Sequence, residues 1–167
     1  EMASCAELRH ADGGATGHVL IAMGQLGFPT RVLAARLGNR WTYAGDGVVP
    51  GQVPAARLLD HFGFRAVRPD AALYGVVGNP IAHSLSPPMH NAGFTVLGLN
   101  PVYQPLQAVG AGGIMTFARA MGLFGASVTA PFKVDMLSRV DEVDAVAARG
   151  GALNTVAVGD GRSRGTN

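Results

Sequence analysis

Between residues 73 and 158, short apolar runs end at glycine or proline and alternate with stretches of helical period. Strand-length runs are Leu73–Gly78, Pro101–Leu106, Leu123–Val128 and Ala152–Val158. Helices are expected at Pro87–Leu97, where Met89, Ala92 and Val96 share one face, at Ile114–Met121 and at Val134–Arg139. Strands separated by helices in this way demand crossover connections. The alternation therefore predicts an α/β layer with an open, mainly parallel sheet flanked by helices. Upstream the same reading gives a helix over 1–14, a buried strand His18–Met23, a helix Thr30–Leu37, a β-prone Trp41–Ala44 and a helix Pro54–His61. Arg65–Asp70, with Pro69, reads as a linker, which divides the chain into 1–68 and 69–167.

Composition narrows the function classes. The chain has 167 residues, 48% hydrophobic and 14% charged, with a net charge of +2 and no basic run. Nucleic-acid binding demands a basic patch with interleaved aromatics, so no nucleic-acid partner is expected. No apolar run reaches membrane-spanning length, and the start lacks the basic and apolar regions of a signal peptide. The opening reads as the middle of a longer chain. Cys5, the only cysteine, has no internal partner, which favours a reducing, cytoplasmic setting. His83 and His90 lack a third ligand, so no metal is expected. Twelve of the thirteen basic residues are arginine and Lys133 is the only lysine. Lysine can give up a proton near neutral pH in a suitable environment and arginine effectively cannot, which marks Lys133 for chemistry; a chance surface lysine is the alternative.

Three segments carry polar groups in suggestive places. In His83-Ser84-Leu85-Ser86-Pro87, Pro87 suits the first helical position and Ser86 the cap, so two hydroxyls flank a helix start, a cradle for a carboxylate. Taken alone, the pair is explained as well by a capping serine beside a turn serine. In Ser127-Val128-Thr129-Ala130-Pro131-Phe132-Lys133 a strand ends, Pro131 is placed to open a helix, and Thr129 and Lys133 lie one helical turn apart. Strand ends of open α/β sheets are where ligands bind. In Gly151-Ala152-Leu153-Asn154-Thr155 the carboxamide offers a donor and an acceptor to a polyol, or serves only as a turn residue. Gly110-Ala111-Gly112-Gly113 imitates a dinucleotide loop, but Met115 replaces its third glycine and no acid closes the next strand.

In this order and spacing, Ser84–Pro87, Thr129–Lys133, Gly151–Thr155 and the closing Gly165-Thr166-Asn167 resemble the motifs of the shikimate dehydrogenase substrate domain, as does the opening Tyr74–Pro80. The likeness covers roughly residues 72–167. It implies that Ser84 and Ser86 bind the shikimate carboxylate and that Thr129, Lys133 and Asn154 contact the ring hydroxyls. It also makes Lys133 the catalytic acid/base in the NADP-dependent reduction of 3-dehydroshikimate. NADP would be held by a downstream Rossmann domain. The family's partner for this lysine, an aspartate, would come directly after Asn167, and Ser127 stands where the family carries asparagine.

The N-terminal stretch has its own likeness. Ala22-Met23-Gly24, Thr30–Leu33, Thr42-Tyr43-Ala44 and Pro50-Gly51-Gln52 resemble the end of a type I dehydroquinase (β/α)8 barrel, with Val48 at a position the family gives to serine. The likeness implies substrate contacts by Arg31 and Gln52. That family works through a lysine Schiff base, and no lysine precedes Lys133. The chain thus resembles the seam of a bifunctional enzyme, inactive on its own. A non-catalytic shikimate- or quinate-binding module and a quinate dehydrogenase are the other readings.

Overall fold

A computed structural model describes residues 17–47 and 49–167. Its helices are α1 (Gly24–Val32), α2 (Ala55–Phe62), α3 (Ser86–Val96), α4 (Ala111–Met121) and α5 (Ala145–Gly150). The strands are β1 (Ala72–Gly78), β2 (Pro101–Gln107), β3 (Leu123–Val128), β4 (Glu142–Val143), β5 (Thr155–Gly159) and β6 (Arg162–Thr166). They form one six-stranded sheet in the order β2-β1-β3-β5-β6-β4. β1 runs parallel to both β2 and β3, the β3–β5 and β5–β6 pairs are antiparallel, and β4 is parallel to β6. The expected mainly parallel α/β sheet is therefore present, with an antiparallel hairpin added beside β3.

The β1–α3–β2–α4–β3 succession forms because each strand is apolar on both faces and each helix has one face to bury. On one face of the sheet Leu73, Val77, Val102 and Leu106 join a large core with Phe28, Val32, Leu33, Val53, Leu58 and Phe62 of the N-terminal stretch. On the other, Val76, Tyr103 and Ile81 form a smaller cluster under α3, with Tyr74 and Phe94 packed against it. Gln104 interrupts the first face: it is completely buried between Val102 and Leu106, and neither amide atom has a partner among the described residues.

Several local expectations need correction. Residues 18–23 form no strand; their backbone is satisfied by side chains instead, with the Leu20 N–H and carbonyl bonded to Asn39 and the Ala22 N–H donating to Thr30 Oγ1. The helix foreseen at Thr30–Leu37 starts at Gly24 and gives way to turns after Val32. Met89 and Val96 face solvent at 63% and 86% exposure, and the buried face of α3 is set by Pro87 and Asn91. The helix expected over 1–14 lies outside the described residues, as does Val48.

Candidate functional site

Parallel strands β1 and β3 end at the same edge of the sheet, and each gives way there to a polar residue, Asn79 after β1 and Thr129 after β3. Asn79 fastens that edge. Its N–H donates to the Ala130 carbonyl beyond β3 at 3.1 Å, and its Nδ2 donates to the Ala108 carbonyl beyond β2 at 3.0 Å. Because β5 is antiparallel to β3, its beginning reaches this edge too, as does the end of β6. Topology alone therefore delivers the segments after β1 and β3, before β5 and after β6 to one rim, the place where open α/β sheets bind ligands.

The rim is tied together by main-chain bonds. The Thr129 N–H donates to Val77 O at 2.9 Å, Val128 N–H to Asn154 O at 2.6 Å, Leu153 N–H to Lys133 O at 2.9 Å and Asn154 N–H to Thr166 O at 2.9 Å. Two glycines permit the close approach: a Cβ on Gly78 would lie 2.7 Å from Thr129 Cγ2, and one on Gly165 would lie 2.5 Å from Leu153 Cδ2. These main-chain bonds bring the segments holding Thr129, Lys133 and Asn154 together. Lys133 is exposed, and its ammonium has no carboxylate partner among the described residues. Pro131 opens a turn rather than an α-helix, and a 3-10 turn comes next at Asp135–Ser138. Asn154 donates to Asn167 Oδ1 at 2.8 Å and accepts from Thr155 Oγ1 at 2.9 Å, leaving one amide N–H and one lone pair for a ligand.

The two serines divide their work differently from the expectation. Leu85, not Ser86, is the N-cap of α3, and Ser86 is its first residue, with Pro87 and Pro88 directly behind it. Ser84 Oγ accepts the Ser86 N–H at 3.3 Å, so Ser84 performs the capping and keeps its proton for another acceptor. Ser86 makes no side-chain bond among the described residues. Prolines at 87 and 88 have no N–H, so the positive end of α3 presents hydroxyls more than amides to an anion. From the N-terminal stretch, Arg57 Nη2 donates to Ala82 O at 3.0 Å and steadies the loop carrying the serines.

Arg31 and Gln52 come together through the Gly51 carbonyl. Arg31 is 2% exposed and its Nε donates to Gly51 O at 2.8 Å, one residue before Gln52. Burial lowers the Arg31 pKa from its ordinary value. Gln52 lines a cleft of about 100 Å³ with Gln25, Phe28, Arg57, Ile81 and Gln107. The turn opening α4 does not fit the glycine pattern of a dinucleotide loop. The turn opening α4 carries a buried Met115 at its third glycine position, and β3 closes on Val128 and Thr129.

Sequence reasoning passed over Asn79, Asn91 and Tyr103. Asn91 Nδ2 donates to the carbonyls of His61 and Tyr103, both at 2.8 Å, and its Oδ1 accepts the Tyr103 N–H at 2.8 Å. It replaces the missing sheet neighbour of edge strand β2. Such bonds from a side chain to distant backbone leave no pattern in spacing.

Residues 76–156 match the model of the shikimate dehydrogenase substrate binding domain. A bifunctional 3-dehydroquinate dehydratase/shikimate dehydrogenase of Arabidopsis thaliana is 34% identical over 140 residues, 81% of this chain and 23% of that protein. A shikimate dehydrogenase (NADP(+)) of Rubrobacter xylanophilus is 45% identical over 95 residues, 53% of this chain and 32% of its own length. The chain thus spans a third or less of these relatives. The crystal structure of a Listeria monocytogenes shikimate 5-dehydrogenase in complex with shikimate and NAD superposes with a TM-score of 0.57 at 37% identity, covering 60% of this chain and 35% of that one. Residues 76–156 of this chain are a shikimate dehydrogenase substrate-binding domain.

Proposed function

We propose that the rim built from Ser84, Ser86, Thr129, Lys133 and Asn154 binds shikimate and 3-dehydroshikimate, and that the whole protein reversibly interconverts them with NADP as cofactor. What supports this is the sheet topology, which delivers the segments after β1, after β3 and before β5, the segments that hold those five residues, to one end of the sheet. The two serine hydroxyls at the start of α3 take the carboxylate, where the positive end of the helix favours an anion. Thr129 and Asn154 take ring hydroxyls. Lys133 exchanges a proton with the C3 oxygen as that carbon passes between ketone and alcohol. NADP supplies or accepts the hydride and is held outside the described residues.

The N-terminal residues 1–68 are, on the same reading, the closing part of a type I dehydroquinase barrel, with Arg31 and Gln52 as its substrate contacts. The Arabidopsis relative, named for both activities, supports this. Lacking a lysine, this stretch forms no Schiff base, and the 167 residues alone carry out neither reaction. The setting is cytoplasmic; among the described residues no helix is long and apolar enough to cross a membrane.

The acid/base role is tested by Lys133→Ala in the whole enzyme. Turnover falls by orders of magnitude while shikimate affinity stays within about tenfold, because a proton-transfer group typically contributes about 10²–10⁴ in rate. Near-normal turnover in that variant would remove Lys133 from the chemistry.

A further inference from the structure

Helix α2 of the N-terminal stretch turns two stripes to the rest of the fold. Leu58 and Phe62, one turn apart, are buried in the large core. Arg57 and His61, also one turn apart, occupy the neighbouring stripe and grip the start of α3 from outside. Arg57 Nη2 donates to Ala82 O at 3.0 Å. The His61 carbonyl, in the last turn and so without an intrahelical partner, accepts Asn91 Nδ2 at 2.8 Å. Ser84 and Ser86 lie between these two points of attachment.

The loop carrying the serines has little else to fix it. Ile81 is buried with Val76 and Tyr103, whereas Ala82, His83 and Leu85 are exposed. The Ser84 N–H closes a turn on Ile81 O at 3.0 Å, and Ser84 Oγ accepts the Ser86 N–H, bonds that stay within the segment. Among the described residues, the Ala82 carbonyl makes the one hydrogen bond from this loop to a distant part of the chain. Arg57 Nε is buried beside it without a partner among the described residues, and the bond to Ala82 offsets part of the cost of burying it. We infer that Arg57 is a positioning residue for the carboxylate subsite: through Ala82 it fixes the loop that presents Ser84 and Ser86. The N-terminal stretch thereby sets how tightly the shikimate half holds an acid. The inference rests on the proposed shikimate site and adds to it a contribution from outside residues 76–156.

The test titrates the full chain with shikimate, followed by NMR chemical-shift changes. Arg57→Met keeps the apolar stem and removes the donor. Shikimate affinity then falls about three- to tenfold, the range of one lost hydrogen bond. In the free protein the Ser84 amide loses exchange protection while the Thr129 amide, bonded to Val77 O, keeps it; a general loss of stability would lower both. Combined with Ser84→Ala the loss is smaller than the sum of the two single effects, whereas with Asn154→Ala it adds. The loss is the same at high salt, where a long-range pull of the guanidinium on the carboxylate would be screened. Arg57→Gln, shorter than arginine, loses the same affinity and carries the test if the methionine variant does not fold. Unchanged affinity, a loss that adds fully to that of Ser84→Ala, or one that vanishes at high salt overturns the inference and leaves the site standing. Failure of the unmodified chain to bind shikimate overturns both.

Discussion

At the scale of single residues the proposed site is a set of hydroxyls, one amine and one carboxamide, of which Ser84 and Asn154 are already bonded within the protein. Ser84 already accepts the Ser86 N–H, so it meets a carboxylate as a donor. Replacing Ser84 or Ser86 with alanine is expected to weaken shikimate binding by about 1–2 kcal/mol each, a hydrogen bond to a charged group, with turnover little changed. Calorimetric titration checks this, and unchanged affinity in both variants would move the carboxylate subsite elsewhere. Gln104 makes the opposite case, since its buried amide has no partner among the described residues. Gln104→Met removes those polar atoms at similar volume. It is expected to raise stability by about 1 kcal/mol, read from the urea midpoint at unchanged slope.

Single residues also set how much of the site is legible. Lys133 stands out as the only lysine, and Thr129 and Asn154 because they punctuate strand ends. Tyr103 and Asn79 do not, because a tyrosine in an apolar run and an asparagine before a proline are equally at home as core and turn. Ser86 shows the limit of capping rules: the cap bond comes from the residue two before, and only the backbone of Leu85, already helical at φ −87° and ψ −5°, decides it.

Among elements, β1 to β3 and the helices between them keep closely to the alternation, since each is long, apolar and bounded by glycine or proline. β4, α5 and β6 escape it. β6, Arg162–Thr166, has polar residues throughout and is a strand only because β5 pairs with it across the Asp160-Gly161 turn. Its outer side is fixed to Asp141, whose Oδ2 accepts both the N–H and the hydroxyl of Ser163 at 2.7 Å. The Ser163 hydroxyl first, and then its N–H, lower the Asp141 pKa below the ordinary aspartate value. A carboxyl with a depressed folded pKa stabilises the fold fully above its unfolded value, about 3.9, and that contribution is lost as pH falls through the lower folded one. The protection of the Ser163 and Gly165 amides, taken relative to intrinsic exchange at each pH, should therefore fall below about pH 4. Asp141→Asn should remove that acid-dependent step, and an unchanged step in the variant would assign it to another group.

For the molecule as a whole, the N-terminal stretch and the sheet share one core. Phe28, Val32, Leu58 and Phe62 pack with Leu73, Val102 and Leu106, and Arg57 reaches the loop that carries the serines. The sequence suggested a linker at 65–70 because proline and charge cluster there, but a linker reading says nothing about which faces meet. That information lies in side chains far apart in the chain, as does the fate of residues 18–23, which need neighbouring strands to become one. What the sheet topology does impose is the common rim, where segments remote in sequence arrive together.

The rim's function is tested most directly by titrating the chain with shikimate while tracking the backbone amides. Saturable binding with the largest shifts at Ser84–Ser86, Thr129–Lys133 and Asn154, lost in Ser84→Ala/Ser86→Ala, is the result expected. No saturable binding, or shifts confined to residues away from that edge, would contradict the assignment of these residues to shikimate recognition.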